Sequence, residues 1–389
     1  MSGVGSNSRK IYLYKFLGEF YLIVPVLIPY YRANGLSPTS VFTIQAAYTL
    51  AVLLLEIPSG YLADVVGRRR TLILAAVIVP AGLVLYALGR SFAAFITAEV
   101  VLAVGNSLRS GCDSALLYDS LVEMGRTEDY KKFEGRSFLS GRIGSASASI
   151  LGGALAAIAI RLPFWTNAAT ALFMLPLALS LAEPLRPRPA WKNPLAEILR
   201  ISRWSFAHPQ VRFFILFSAL VLSTGLVGLW ASFLLYSDLG IPVAWFGVMF
   251  AGFQLASALA SSRSHAVERV LGARRSLLIL PAAGLVFILI GVSRSAAVLP
   301  FVFLNAALWG FGHPLFMDGI NRLIPSETRA TVLSVGNMAG CLMFVVLSPL
   351  FGRLAAALSL RTGYLLLGVY VLVYSGLALL YGCRVKAWG

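Results

Sequence analysis

SVFTIQAAYTLAVLLLEIPSG (residues 40–60) and TLILAAVIVPAGLVLYALG (71–89) flank the short stretch YLADVVGRRR (61–70). Each flank runs for about 20 residues with almost no charge, long enough to cross a ~30 Å hydrocarbon core as a helix. The stretch between them is too short for a domain and carries an aspartate and three arginines, as a turn at a membrane surface would. One helix crosses, the chain turns, and a second helix returns.

The same pattern recurs along all 389 residues. Spans are expected near 11–31, 40–60, 71–89, 92–118, 137–160, 163–182, 212–236, 243–262, 275–292, 296–318, 330–351 and 362–383. The composition agrees: 58% of residues are hydrophobic and 12% charged, about half the charge of a soluble domain. Membrane β-strands would show alternating segments of roughly ten residues, and none is visible. In a bilayer, helices satisfy the backbone internally. An all-α polytopic membrane protein is therefore expected.

A net charge of +16 would suggest nucleic acid in a soluble protein. Here the positions of the charges explain it without nucleic acid. With both termini cytoplasmic, 23 of the 32 Lys and Arg residues fall on inner segments and six on outer loops, leaving Lys15, Arg109 and Arg142 within spans. That is the positive-inside bias. Cys112, Cys341 and Cys383 are far apart and odd in number, so neither a disulfide framework nor a metal site is expected. No cofactor and no cleavable leader is expected. Phosphate-loop, His-Glu-x-x-His and Gly-x-Ser-x-Gly patterns are absent from the sequence.

A shift of 205 residues lays YYRANGLSP (30–38) on LYSDLGIPV (235–243) and GRRRTLIL (67–74) on GARRSLLI (272–279). Tyr31 meets Tyr236, Gly35 meets Gly240 and Gly67 meets Gly272; LLYDSL (116–121) matches LFMDGI (315–320) more loosely. Two six-helix halves are expected, 1–182 and 212–389, joined by 183–211. That joining segment is Pro-rich and then basic, with Trp191, Leu195, Ile198, Leu199 and Trp204. It reads as an amphipathic helix on the cytoplasmic membrane surface or as a simple tether.

The stretch 60–71, GYLADVVGRRRT, resembles the signature loop of the major facilitator superfamily. Gly60, Asp64, Gly67, Arg68 and Arg69 fit its spacing, while Val65 stands where a basic residue is usual. The resemblance implies a gate that latches one side, with Asp64 pairing to a cation and the glycines allowing a tight turn and close helix approach. The fifth span resembles the superfamily's antiporter pattern at Gly135, Gly144, Gly152 and Gly153, with Ala148-Ser149 replacing the central Gly-Pro. Ordinary small-residue packing explains the same glycines. The first span, with Leu17-Gly18, Pro25 and Pro29, is similar to an exporter pattern one residue out of step. In the fourth span the family often has an Arg and then a Gly; here Glu99 and Ala103 stand there, so that Arg's role does not transfer.

The fourth span has its own polar set. On a continuous helix Glu99, Asn106, Arg109 and Asp113 fall within about an 80° arc, and Arg109 and Asp113 pair at i,i+4. An ionised group inside a membrane costs at least ~2.5–3.5 kcal/mol, so this face should meet protein or water. It either lines a cavity or locks helices together. Glu19, four residues after a surface-reaching Lys15, is read as a proton-coupling carboxylate or a stapling pair, with Asp113 and Glu99 the next candidates. Arg142, on one face with Ser145 and Ser149, can bind an anion or pair with Asp113 or Glu19. Asn305, Trp309 and Phe316 lie near one face of the tenth span and can contact substrate. Glu56 and Asp318 are read as supports for the gate loops, and His313 as structural or a proton carrier.

The resemblance implies two bundles rocking about a midplane site, hence secondary active transport, with proton-coupled export of a drug or metabolite leading. Uptake of an organic anion by symport, held by Arg109 and Arg142, is the alternative. A receptor or scaffold that has lost transport is the reading from another class. The expected partners are a small-molecule substrate, protons or another coupling ion, and the lipid bilayer. A monomer in the bacterial cytoplasmic membrane is expected.

Overall fold

The computed structural model describes residues 3–185, 194–324 and 326–386, with the side chains of 194–198, 273, 326–328 and 330 also outside the description. Among the described residues there is no strand. Twelve helices among the described residues are long and apolar enough to cross a membrane: Val4–Ala33, Pro38–Val66, Arg68–Leu88, Phe92–Glu123, Thr127–Ile158, Leu162–Ser180, Pro209–Asp238, Val243–Leu271, Arg274–Val292, Ala296–Asn321, Thr331–Ala357 and Leu360–Arg384. They are called the first to twelfth spans below. The chain is a multi-pass membrane protein.

The helices overrun the apolar stretches. The fourth continues to Glu123 and the fifth starts at Thr127, ten residues before its expected position at 137. The segment YKKFEGR (130–136) is polar yet helical. Loss of hydrophobicity marks where a helix leaves lipid. The helix itself ends only where the backbone turns, here at Gly125 with φ 66°.

Among the described residues four spans are interrupted: the sixth at Phe173 and the ninth at Leu277 and Leu278, where the backbone stays near-helical, and the first and fourth, where it does not. In the first, a helix Asn7–Glu19 stops, residues 20–23 leave helical geometry, and a short 3₁₀ turn Val24–Val26 leads into Leu27–Ala33. Pro25 and Pro29 have no N–H to give the carbonyl four residues back, which explains a break at that place. In the fourth, helix Phe92–Arg109 ends and Cys112–Glu123 begins after Gly111, whose φ of 71° is left-handed.

The chain folds into two compact units. The first is Met1–Leu36, Ala47–Ala190 and Ile241–Ala251; the second is Ser37–Ala46, Trp191–Gly240 and Gly252–Gly389. The first has an apolar core of Ile11, Tyr14, Leu72, Leu116, Leu117 and Met174, all fully buried. Its third and fourth spans approach closely, since a Cβ on Gly105 would lie 2.7 Å from Val79 and one on Gly82 2.8 Å from Leu102. Without a hydrophobic drive inside lipid, such small-residue approach supplies the packing. In the second unit Gly284 and Gly368 do the same for the ninth and twelfth spans.

The residues paired by the 205-residue shift share backbone geometry. Gly35 and Gly240 have φ of 78° and 70°, and Gly67 and Gly272 have 110° and 80°. Tyr31 and Tyr236 are both fully buried. The joining segment contains a helix, Pro194–Ala207, with Ile201 and Ser205 buried and Leu199 and Trp204 exposed. Trp191, Pro187 and Pro189 lie outside the described residues, as do the side chains of Leu195 and Ile198.

Candidate functional site

The signature loop is tied down on three sides. Gly67 caps the third span with φ 110°, a backbone no L side chain adopts readily. Arg68 and Arg69 then offer their free backbone N–H groups, and both oxygens of Glu183 accept them at 2.8 and 2.7 Å. A carboxylate on the first free N–H groups of a helix is favourable both as a cap and through the dipole. The Arg68 side chain meets Asp119 at 2.7 Å and Asp64 at 3.8 Å, while Arg69 donates to the Leu179 carbonyl at 2.7 Å.

Among the cations near Asp64 is Arg68, a residue of its own loop. The two glycines differ: Gly67 makes the turn, whereas a Cβ on Gly60 would meet nothing within 4 Å. The close approach expected at Gly60 is therefore not made. Glu56 is exposed and forms no described side-chain bond to the loop; only its carbonyl accepts, from Ser59. Asp318 pairs with Arg322 at 2.6 Å. Sequence reading missed Glu183, although an acid ending an apolar span was a usable signal.

The charged residues within the first, fourth and fifth spans come together; of the expected pairings, Arg142 with Glu19 is among those made and Arg109 with Asp113 is not. The break at Gly111 turns the chain between Arg109 and Asp113, so the expected i,i+4 pair does not form. Instead Lys15 Nζ donates to Asp113 Oδ2 at 2.8 Å. Lys15 thus turns to Asp113 rather than reaching the surface. Arg109 Nη1 meets Glu19 Oε1 at 3.2 Å, and Arg142 Nη2 meets Glu19 Oε2 at 3.4 Å. Glu19 is therefore shared by two guanidiniums from two spans.

Asp113 is 1% exposed and Arg109 8%. The Arg142 side chain keeps 48% of its exposure and lies over the Phe138 ring. Asp113 Oδ1 also accepts from the Ser114 N–H, capping the second half of the fourth span, and Ser114 Oγ reaches Glu134. Next to the pairs, Tyr21 donates to Asn106 Oδ1 at 2.6 Å and Asn106 Nδ2 to Tyr48 at 3.1 Å. These bonds tie the broken part of the first span to the second and fourth.

The glycines of the fifth span explain how the first span lies so near. A Cβ on Gly144 would stand 2.5 Å from the Phe16 carbonyl, and one on Gly152 would strike the Leu22 carbonyl. Gly153 takes the Ala244 carbonyl in the same way, whereas Gly135 faces nothing within 4 Å. Three of the four glycines are close-approach sites. Glu99 stands apart from the ion pairs, two turns or about 10 Å along the helix from Asn106. It is 5% exposed, and the Tyr31 hydroxyl, itself against the Tyr86 hydroxyl, reaches its Oε1 at 3.3 Å. The single charged face expected for the fourth span is thus two environments.

The second unit holds a cavity of about 280 Å³ lined by Ser218, Trp309, His313, Phe316, Ser334 and Asn337 among others. Trp309 lies against Gly225 and Phe316 against Gly336, so two glycines seat two rings. No Lys, Arg, Asp or Glu is among the described lining residues. Asn305 does not share this cavity; it is 4% exposed and packed on Gly228. Asn337 was missed, though a lone amide inside the eleventh span was readable. Among the described residues no group of His, Cys, Asp and Glu is placed to hold a metal.

The family profile described as Major Facilitator Superfamily matches residues 16–348. No curated protein sequence matches the chain. Solved structures do match in fold. The nucleoside transporter NupG has TM-score 0.78 at 14% identity, covering 98% of this chain and 99% of its own. A bacterial homolog of the human lysosomal transporter Spinster has TM-score 0.78 at 18% identity, covering 100% and 99%. A D-xylose-proton symporter has TM-score 0.72 at 14% identity, covering 97% of each chain. At such identities these likenesses speak for fold alone; the profile, which spans most of the chain, carries the assignment. The chain belongs to the Major Facilitator Superfamily, a family of membrane transporters and not of enzymes.

Proposed function

We propose that this chain is a secondary active transporter that couples movement of a small molecule to protons by alternating access. The observation that carries the proposal is Glu19 held between Arg109 and Arg142, beside the break in the first span. Three charges in one membrane interior are expensive to keep for folding alone. Protonating Glu19 would release both guanidiniums at once and remove one charged tie that the first span makes to both the fourth and the fifth. Asp113 with Lys15 is the second candidate, and Glu99 among its tyrosines the third.

In this proposal residues 1–182 and 212–389 form the two rocking halves, joined by 183–211, with both termini cytoplasmic, as the distribution of Lys and Arg supports. The loop at 60–69 acts as a latch through Asp64 and Arg68. Trp309 and Phe316 contact substrate, and Asn305 supports them from behind. We assign the protein, as a monomer, to the bacterial cytoplasmic membrane.

Export is kept as the leading direction on the resemblance of Gly135, Gly144, Gly152 and Gly153 to the antiporter pattern; the close approach of the last three is packing and favours neither direction. Uptake of an organic anion is kept for one observation: Glu19 faces two arginines, and the half-exposed Arg142 is free to take a second anion. The test begins with a thermal-shift panel on the purified protein to find a ligand. That ligand is then followed in proteoliposomes under an imposed pH gradient. Flux driven by the gradient and abolished by a protonophore is expected, its sign deciding between antiport and symport. Flux indifferent to the gradient would refute proton coupling, and ligand binding without any flux would favour the receptor reading.

A further inference from the structure

A second cavity, of about 500 Å³, opens in the second unit between the end of the eighth span, the start of the ninth and the middle of the tenth. Its wall is carbon: Val267, Leu271, Leu278, Ile279, Leu308 and Phe311 line it. Two arginines, Arg263 and Arg275, join that lining; both are exposed, and neither guanidinium has a hydrogen bond or ion pair with another described residue. Arg269 and Arg274 stand close by in sequence, against one acid, Glu268, in SSRSHAVERVLGARRS (261–276).

We propose that this groove is a binding site for one anionic phospholipid, its phosphate on Arg263 and Arg275 and an acyl chain along the apolar wall. Both arginines lie near span ends at one membrane face, Arg263 two turns before the end of the eighth span and Arg275 in the first turn of the ninth. From Arg275 to Ala282, another lining residue, the groove descends roughly 10 Å, against about 15 Å of hydrocarbon in one leaflet. A water-soluble anion would gain nothing from that carbon wall. An uncharged lipid would leave both guanidiniums unmatched, and a zwitterionic one such as phosphatidylcholine brings a quaternary ammonium beside its phosphate, so its head has no net charge to set against them. Only a molecule with an anionic head and an apolar tail satisfies both parts, and basic pockets between membrane helices hold such head groups. The eighth span is also the least buried of the twelve, at 22% of its apolar window, so lipid has access to it.

The test is native mass spectrometry of the full-length protein released from micelles holding equal phosphatidylglycerol and phosphatidylcholine. The wild type is expected to retain one phosphatidylglycerol in preference to phosphatidylcholine. Each of Arg263→Gln and Arg275→Gln should weaken retention about fivefold and the double variant roughly 25-fold, from the usual gain per basic residue near a lipid surface. Ala307→Phe fills the groove and keeps both arginines; it should also lose the lipid, with Ala282→Leu as the milder alternative if that variant fails to fold. Three results would overturn the proposal: equal retention of phosphatidylcholine, wild-type retention in the double arginine variant, or wild-type retention in the groove-filled variant. Full competition by soluble glycerol phosphate would likewise overturn it, by showing an anion site that ignores the tail.

Discussion

Arg109 reaches Glu19 across the face of Gly18. A Cβ at Gly18 would lie 2.7 Å from Arg109 Nη1 and 3.0 Å from its Cδ, so the guanidinium occupies the place a side chain would take. The pair therefore depends on a residue without chemistry of its own. In Gly18→Ala, helix propensity improves by about 1 kcal/mol, and the melting temperature should stay near that of the wild type. The displaced Arg109 should nonetheless lower proton-driven flux about tenfold. Wild-type flux in this variant would show that the pair is not part of the cycle.

Lys15 and Asp113 form a separate buried pair, with the carboxylate side chain 2% exposed. Removing one partner strands the other charge and should cost about 3–5 kcal/mol, whereas removing both should cost much less. Chemical unfolding of Lys15→Met, Asp113→Asn and the double variant measures this coupling directly. Additive losses would mean that the two groups do not depend on each other.

The latch loop makes a prediction that separates stability from turnover. Glu183→Gln keeps an oxygen for one of the two N–H groups it caps but loses the charge, and should cost about 1 kcal/mol. Asp64→Asn disturbs a partly exposed pair at 3.8 Å and should barely change stability. If the loop is a gate, Asp64→Asn should still cut transport at least tenfold while inserting and folding normally. Undiminished turnover would leave the loop as positive-inside charge only.

In the second unit, Gly225→Ala would push a methyl into the Trp309 ring and Gly336→Ala would put one 2.7 Å from Phe316. Both changes should drive the rings into the 280 Å³ cavity. A ligand found by thermal shift is expected to bind at least tenfold more weakly to each, and to Trp309→Ala. Unchanged affinity in all three would place the ligand elsewhere.

The helices were legible because a bilayer demands long uncharged runs, and the bias of Lys15, Arg109 and Arg142 away from every other basic residue already marked them as special. The repeat was legible too, because a positive φ at Gly35, Gly67, Gly240 and Gly272 admits few other residues. The pairings were not. Treating the fourth span as one helix put Arg109 beside Asp113, and only the left-handed Gly111 shows otherwise. Nothing in the local sequence tells that a glycine will break a helix rather than pack it, since Gly105 in the same span packs. Partners drawn from distant spans, such as Lys15 for Asp113 or Arg109 for Glu19, depend on tertiary approach that no local pattern encodes.

The most direct test of the central claim is the ratio of proton flux to ligand flux in proteoliposomes containing Glu19→Gln. The account predicts that ligand counterflow persists while the imposed pH gradient no longer drives accumulation. A Glu19→Gln protein that still concentrates ligand on a pH gradient as the wild type does would contradict it.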